Sequence, residues 1–299
     1  VTVETSASGR KSTDLTYRVV AAIVKPFLYA VCKRDWQGAE HLPTTGGYIA
    51  AANHMTNFDP LTFAHFLYDS SRPPRILAKA SLWKVPVLRT VLNKTGMIPV
   101  HRNSSGAASS LADAVAQLQG GEVVAVFPEG TLTRDPDLWP MVGKTGAARL
   151  ALSSGVPVIP VAQWGPQDIL PQYSKRLHPF PRKKVSIHAG PAVDLDDLRG
   201  RPMDAAVLKE ATERIMTAIT TLLEEIRGES APAVRYDMRR AAKAAGVAVP
   251  PAELDPTPAP AADPTPDQVP DQTPDQVPDQ TPDQSPDPTP GPGDDGGAR

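Results

Sequence analysis

The 299-residue chain has one cysteine, Cys32, only 5% aromatic residues, and no apolar run of membrane-spanning length. A lone cysteine excludes an intrachain disulfide and any cysteine-based zinc site, which fits a reducing compartment. The longest uninterrupted apolar run among the first forty residues is Val19 to Val24. It stops at Lys25-Pro26, far short of the roughly 20 residues a spanning helix needs. The first dozen residues are polar, and the apolar stretch after them has no small-residue cleavage pattern behind it, so no secretory leader is expected. There is no G-x-S-x-G elbow, because Ser153 and Ser154 fall at a helix ending before Gly155, and this excludes a serine hydrolase of that type. The P-loop and G-x-G-x-x-G patterns are also missing, which removes the common nucleotide-binding classes.

The last fifty residues are a different material. From Pro251 onward the chain holds 14 of its 34 prolines, no Trp, Tyr or Phe, and P-D-Q-x tetrads starting at Pro266, Pro270, Pro274, Pro278 and Pro282. Such a composition cannot bury a core and reads as an extended, polyproline-like disordered tail. The tail also hides the charge of the rest. The whole chain is −2, but residues 251–299 carry 11 acidic groups and one basic, so the first 250 have 31 − 1 = 30 basic against 33 − 11 = 22 acidic, a net of +8. A body of that sign attracts anionic partners, whether phosphate substrates, anionic lipid or nucleic acid.

Alternating strand and helix patterns predict one α/β domain over 36–228. It is preceded by a flexible stretch at 1–12 and an amphipathic helical segment at 13–35, and followed by a short helical extension at 229–250 and the tail at 251–299. The segment at 13–35 places Leu15, Val19, Ala22, Ile23, Phe27 and Val31 on one side, with Arg18, Lys25, Lys33 and Arg34 as its cations and Tyr17 and Tyr29 as amphipathic anchors. Packing on the core and lying in a bilayer interface are both open to such a stripe. Met203 to Ile226 is a long amphipathic helix whose stripe reads as core.

Four stretches carry chemistry. In Asn53-His-Met-Thr-Asn-Phe-Asp-Pro60, histidine and aspartate are five residues apart. On a regular helix they would point about 140° away from one another, so they meet only if the chain turns. Asn57 and the Asp59-Pro60 helix start supply such a turn, with Asp59 read as the N-cap. The spacing alone is weak, since six histidines produce it by chance. Gly96-Met-Ile-Pro-Val-His-Arg102 is a strand ending in cations, where Arg102 suits either bidentate phosphate recognition or a plain surface ion pair. Val124 to Thr131 is an apolar strand that stops at Pro128 and presents Glu129, Gly130 and Thr131, a tip open to a phosphate or oxyanion and equally an ordinary Pro-Gly turn. Val156 to Val161 is a strand bracketed by prolines, suited to a pocket wall or to the core.

In this order and spacing the four stretches resemble the motif blocks of the glycerolipid acyltransferases, the lysophosphatidic acid acyltransferase (1-acyl-sn-glycerol-3-phosphate acyltransferase) type, over about residues 36–195. The resemblance implies a glycerol-3-phosphate acyltransferase-like α/β fold, a mixed sheet flanked by helices. It implies His54 as general base and Asp59 as the carboxylate that orients it. Glu129, Gly130 and Thr131 would belong to the acceptor site, Arg102 would bind phosphate, and Lys79, in A-K-A-S-L, resembles a second phosphate-binding lysine. The donor would be acyl-CoA or acyl-carrier protein as co-substrate, with no cofactor and no metal, and transfer would be direct, without an acyl-enzyme. The partners implied are a lysophospholipid acceptor and a membrane surface, with no nucleic acid, and the place is the cytoplasmic face of the plasma membrane, held peripherally.

Two positions depart from the family's pattern. Leu132 stands where F-P-E-G-T is commonly followed by arginine, the next arginine being Arg134, and His101 stands where an acidic or amide residue usually precedes Arg102. Both touch the headgroup site, which keeps another lipid acceptor, such as a glycolipid or an amino-acid-derived lipid, as the alternative. A catalytically silent lipid-binding protein is a further alternative, against which the intact His54/Asp59 pair speaks. The stretch Lys175 to Lys184 mixes cations with Leu177 and Phe180, as a membrane-surface loop does, although such charge runs are often merely solvated.

Overall fold

The computed structural model describes residues 7–100, 106–244 and Gly246, with side chains from Leu15 onward, and all of these fall in one compact unit, Val1–Thr257. The tail, His101 and Arg102 lie outside the described residues. In chain order the elements are α1 (Ala7–Val31), β1 (Cys32–Gln37), β2 (Tyr48–Ala52), α2 (Asp59–Ser70), β3 (Pro74–Lys79), α3 (Pro86–Lys94), β4 (Ile98–Val100), α4 (Gly106–Gln119), β5 (Val123–Val126), α5 (Gly146–Ser154), β6 (Val158–Trp164), α6 (Pro166–Ile169), β7 (Lys183–Ala189), α7 (Ala205–Arg227) and α8 (Met238–Ala244).

The strands form one seven-stranded mixed sheet in the order β1-β7-β6-β2-β5-β3-β4. Every neighbouring pair is parallel except β6 with β7. The central strands are buried on both faces, as parallel sheets require, and β2 shows how. Tyr48, Ala50 and Ala52 join Phe63, Phe66 and Leu67 under α1 and α2. Ile49 and Ala51 turn the other way, toward α4, α5 and α7. The expected amphipathic α7 is core, with Leu208, Ala211, Ile215 and Ile219 buried; Asp204 accepts the Val207 N–H at 2.8 Å to start it and Gly228, at φ 66°, ends it.

The carboxyl ends of β2, β3, β5 and β6 share one edge of the sheet. Because β7 runs against β6 while β1 runs with β7, the amino ends of β7 and β1 lie on that edge too. The end of α1, the stretch after Ala52 and the β6–β7 connection are thereby brought to one side of the molecule.

Two elements differ from their sequence reading. The helix at 13–35 ends at Val31, and Cys32–Gln37 is instead the edge strand of the sheet, its Lys33 and Arg34 exposed. Charged residues on an edge strand hinder pairing with other chains, and they also make it look like a polar helix end. Within α1 the buried side chains are Tyr17, Ala21, Leu28 and Val31, while Leu15, Val19, Ile23 and Phe27 are exposed, and Pro26 sits inside the helix without ending it. Tertiary contacts hold it: Tyr17 stacks on Tyr68 with centroids 5.4 Å apart, and Lys25 and Tyr29 both donate to Asp69.

Candidate active site

His54 follows β2 directly, at the carboxyl edge where open α/β sheets place their ligands. Its Nδ1 is 3.0 Å from Asp59 Oδ2. The same oxygen accepts the backbone N–H groups of Met55 and Thr56, the latter at 2.8 Å. Asp59 is therefore not the N-cap of α2 but its first residue, and its carboxylate turns back into the 54–56 loop rather than onto its own helix. Pro60 is well placed in the first turn because it lacks an N–H that would need a partner there.

Asp59 is fully buried, and burial pushes its carboxyl above the ordinary range, opposed by the imidazole and the two backbone N–H groups that favour the anion. The His54 ring stacks on Phe127 with centroids 4.1 Å apart and retains 16% side-chain exposure. With Nδ1 engaged by Asp59, no hydrogen bond is made to Nε2 among the described residues.

Asn53 has a role that its place in the motif did not reveal. Its Nδ2 donates to the Gln163 carbonyl at 3.0 Å and its Oδ1 accepts the Gln163 N–H at 2.9 Å, while Gln163 Nε2 donates to the Asn53 carbonyl. Thr62 of α2 joins by donating to Gln163 Oε1. The first motif is thus pinned to the end of β6, the strand of the fourth motif. A buried Gln at the end of an otherwise apolar strand was the available signal.

Glu129, expected at the acceptor site, lies at the tip of β5 against the His54 loop. Its side chain is wholly buried, with Oε1 accepting the His54 N–H at 2.9 Å and Oε2 the Met141 N–H at 3.1 Å. It holds the His54 backbone and, through its other oxygen, that of Met141. Burial pushes its carboxyl up to about 8, against the two backbone N–H groups, and the nearby Asp59 charge adds to the rise. The carbonyl of His54 is held as well, accepting the Thr133 N–H at 2.7 Å.

Gly130 is at φ 69°, and a Cβ there would come within 3.1 Å of Lys144 Cδ and 3.6 Å of its Nζ. The glycine lets the Lys144 side chain lie across the tip, bringing a cation to the loop that sequence reasoning missed. Thr131 is half-buried on the same loop, Leu132 is buried and Arg134 is exposed. Leu132 therefore contributes to packing where an arginine would contribute charge. Lys79 is exposed at the end of β3, paired in register with Val100, the residue before Arg102's undescribed segment. The structure brings His54, Asp59 and Glu129 into contact; Gly130, Thr131 and Arg134 share the adjoining loop, and Lys79 ends a strand on the same edge.

A histidine held by a buried carboxylate thus stands at the carboxyl edge of a mixed sheet. A family model described as Acyltransferase matches residues 33–164. The chain is 31% identical over 183 residues to the 1-acyl-sn-glycerol-3-phosphate acyltransferase of Borreliella burgdorferi, covering 60% of this chain and 70% of that protein. It is 30% identical over 196 residues to 1-acyl-sn-glycerol-3-phosphate acyltransferase alpha of Mus musculus, covering 64% and 65%. The crystal structure of the 1-acyl-sn-glycerophosphate (LPA) acyltransferase PlsC from Thermotoga maritima shares the fold, with a TM-score of 0.56 at 21% identity over 76% of this chain and 86% of that one. The chain belongs to the acyltransferase family that these relatives represent, as its motifs led us to expect.

Proposed function

We propose that the chain transfers a fatty acyl group from acyl-CoA or acyl-carrier protein to the free hydroxyl of lysophosphatidic acid, giving phosphatidic acid for phospholipid synthesis. The observation that carries this reading is the His54 Nδ1 to Asp59 Oδ2 contact of 3.0 Å, made by a carboxylate that also receives two backbone N–H groups. Asp59 holds the tautomer with the proton on Nδ1, leaving the Nε2 lone pair for the acceptor hydroxyl. As the hydroxyl proton moves to Nε2, its oxygen attacks the thioester carbonyl. The tetrahedral intermediate collapses with C–S cleavage, and the imidazolium returns the proton to the departing thiolate. General-base help of this kind contributes roughly 10² to 10⁴-fold.

Glu129 acts here as a positioning residue, since it fixes the backbone that carries the base. The acceptor phosphate is met by Arg102 and Lys79, with Lys144 across Gly130 supplying charge that Leu132 does not. Gly130, Thr131 and Arg134 border the same acceptor site. The place we assign is peripheral, on the cytoplasmic face of the plasma membrane; what supports membrane contact is the exposed stripe Leu15, Val19, Ile23 and Phe27 on α1, a helix not long and apolar enough to cross a bilayer. Mass-spectrometric screening of lipid acceptors with one acyl-CoA tests the assignment: product from lysophosphatidic acid is expected, and product from a different acceptor class alone would overturn the choice of acceptor.

A further inference from the structure

We infer that the β6–β7 connection, Tyr173 to Lys183, is a second lipid-contact element that docks the His54 edge of the sheet onto an anionic bilayer. This deepens the membrane reading above by naming the surface that meets the lipid. Tyr173, Leu177 and Phe180 are 65%, 48% and 70% exposed, an unusual outlay of large apolar surface for one short connection. Residues 169–183 add Lys175, Arg176, Arg182 and Lys183 and contain no carboxylate. Apolar side chains interleaved with cations match a headgroup layer, where the cations meet phosphate and the rings and Leu177 enter the acyl boundary. Tyr173 adopts φ 58°, a left-handed backbone that a bulky residue takes at a cost, and its exposed ring is not repaid by core packing.

The connection is folded on itself rather than loose. The Ser174 N–H bonds to the Pro171 carbonyl at 2.9 Å and the His178 N–H to the Ile169 carbonyl at 2.7 Å. Its roots are tied to the site: Thr56 Oγ1 donates to the Leu170 carbonyl and Gln172 Nε2 to the Thr133 carbonyl at 2.6 Å. Thr56 also donates its N–H to Asp59, and Thr133 its N–H to the His54 carbonyl. At the far end Arg182 donates to the Cys32 carbonyl, where α1 meets β1. Lipid contact through this connection therefore turns the His54 edge toward the bilayer, alongside the end of α1, where Phe27 meets Phe58 edge-on at 6.4 Å. The exposed apolar residues favour a bilayer over an acidic carrier protein, which the cations alone would also fit.

The test is flotation of the full chain with phosphatidylcholine vesicles containing or lacking phosphatidylglycerol, for the unaltered chain and for Leu177→Ser/Phe180→Ser and Lys175→Glu/Arg176→Glu. Each cation near an anionic surface contributes roughly fivefold to binding, so the charge-reversed variant, which loses two, is expected to bind phosphatidylglycerol vesicles at least roughly 25-fold more weakly. The apolar double variant is expected to lose a comparable factor on both vesicle types, and both should keep the wild-type melting temperature and turnover of detergent-dispersed substrates. Unchanged vesicle binding in both variants overturns the inference. So does a loss confined to turnover with acyl-carrier protein donor, which would make the connection a protein dock. If the unaltered chain turns over no dispersed substrate, the catalytic reading fails while flotation still decides this one.

Discussion

Asp59 and Glu129 are both fully buried; one meets the imidazole of His54 and the other its backbone N–H. Asp59→Asn keeps the shape but removes the charge that selects the tautomer, and turnover is expected to fall by up to roughly 10⁴-fold without unfolding. Steady-state rates beside a thermal melt check this. Glu129 predicts a pH effect. Its native carboxyl is raised to about 8, so between the ordinary carboxylate range and pH 8 the folded state holds a proton that the unfolded state has lost. Stability therefore falls as pH rises through that window, on the order of 1 kcal/mol per pH unit. Glu129→Gln should be less stable at pH 5, because an amide offers only one acceptor oxygen to two backbone N–H groups. It should also lose much of the slope, which urea denaturation at pH 5 and pH 8 will show.

At the scale of elements, the Asn53–Gln163 exchange locks β2 to β6 and makes a stability prediction of its own. Asn53→Ala leaves the Gln163 N–H and carbonyl buried without these partners, at about 1–3 kcal/mol for each. A smaller loss in chemical denaturation would mean that water or a shifted side chain replaces the amide. Much at this scale was legible in the sequence. β5 and α7 follow an apolar run and a 3.6-residue stripe, and the end of β5 before Pro128, the start of α2 at Asp59 and both ends of α7 were anticipated within a few residues. β1 was not, because an edge strand bearing Lys33, Arg34 and Asp35 carries no apolar run and gains its structure from pairing with β7. The His54–Asp59 contact was legible through its turn residues. The burial of Glu129 and the approach of Lys144 to Gly130 were not, since both depend on residues 12 to 14 positions away folding over the tip.

At the scale of the molecule, the +8 of the first 250 residues and the exposed faces of α1 and the β6–β7 connection lie on a chain in which no described helix can cross a membrane. Vesicle association is then expected to weaken as salt rises, because exposed charges are screened beyond roughly 8 Å at physiological ionic strength. Removing residues 251–299 takes away eleven acidic groups and none of the site, so turnover should be retained in initial-rate measurements, and a large loss would assign the tail more than a linker's role.

The central claim is that His54, held by Asp59, is the base for acyl transfer. Release of CoA from a long-chain acyl-CoA, followed with a thiol reagent in the presence and absence of lysophosphatidic acid, tests it most directly. The account predicts acceptor-dependent release by the unaltered chain and a fall of at least roughly 10²-fold in His54→Ala. Acceptor-dependent release that persists unchanged in His54→Ala would contradict it.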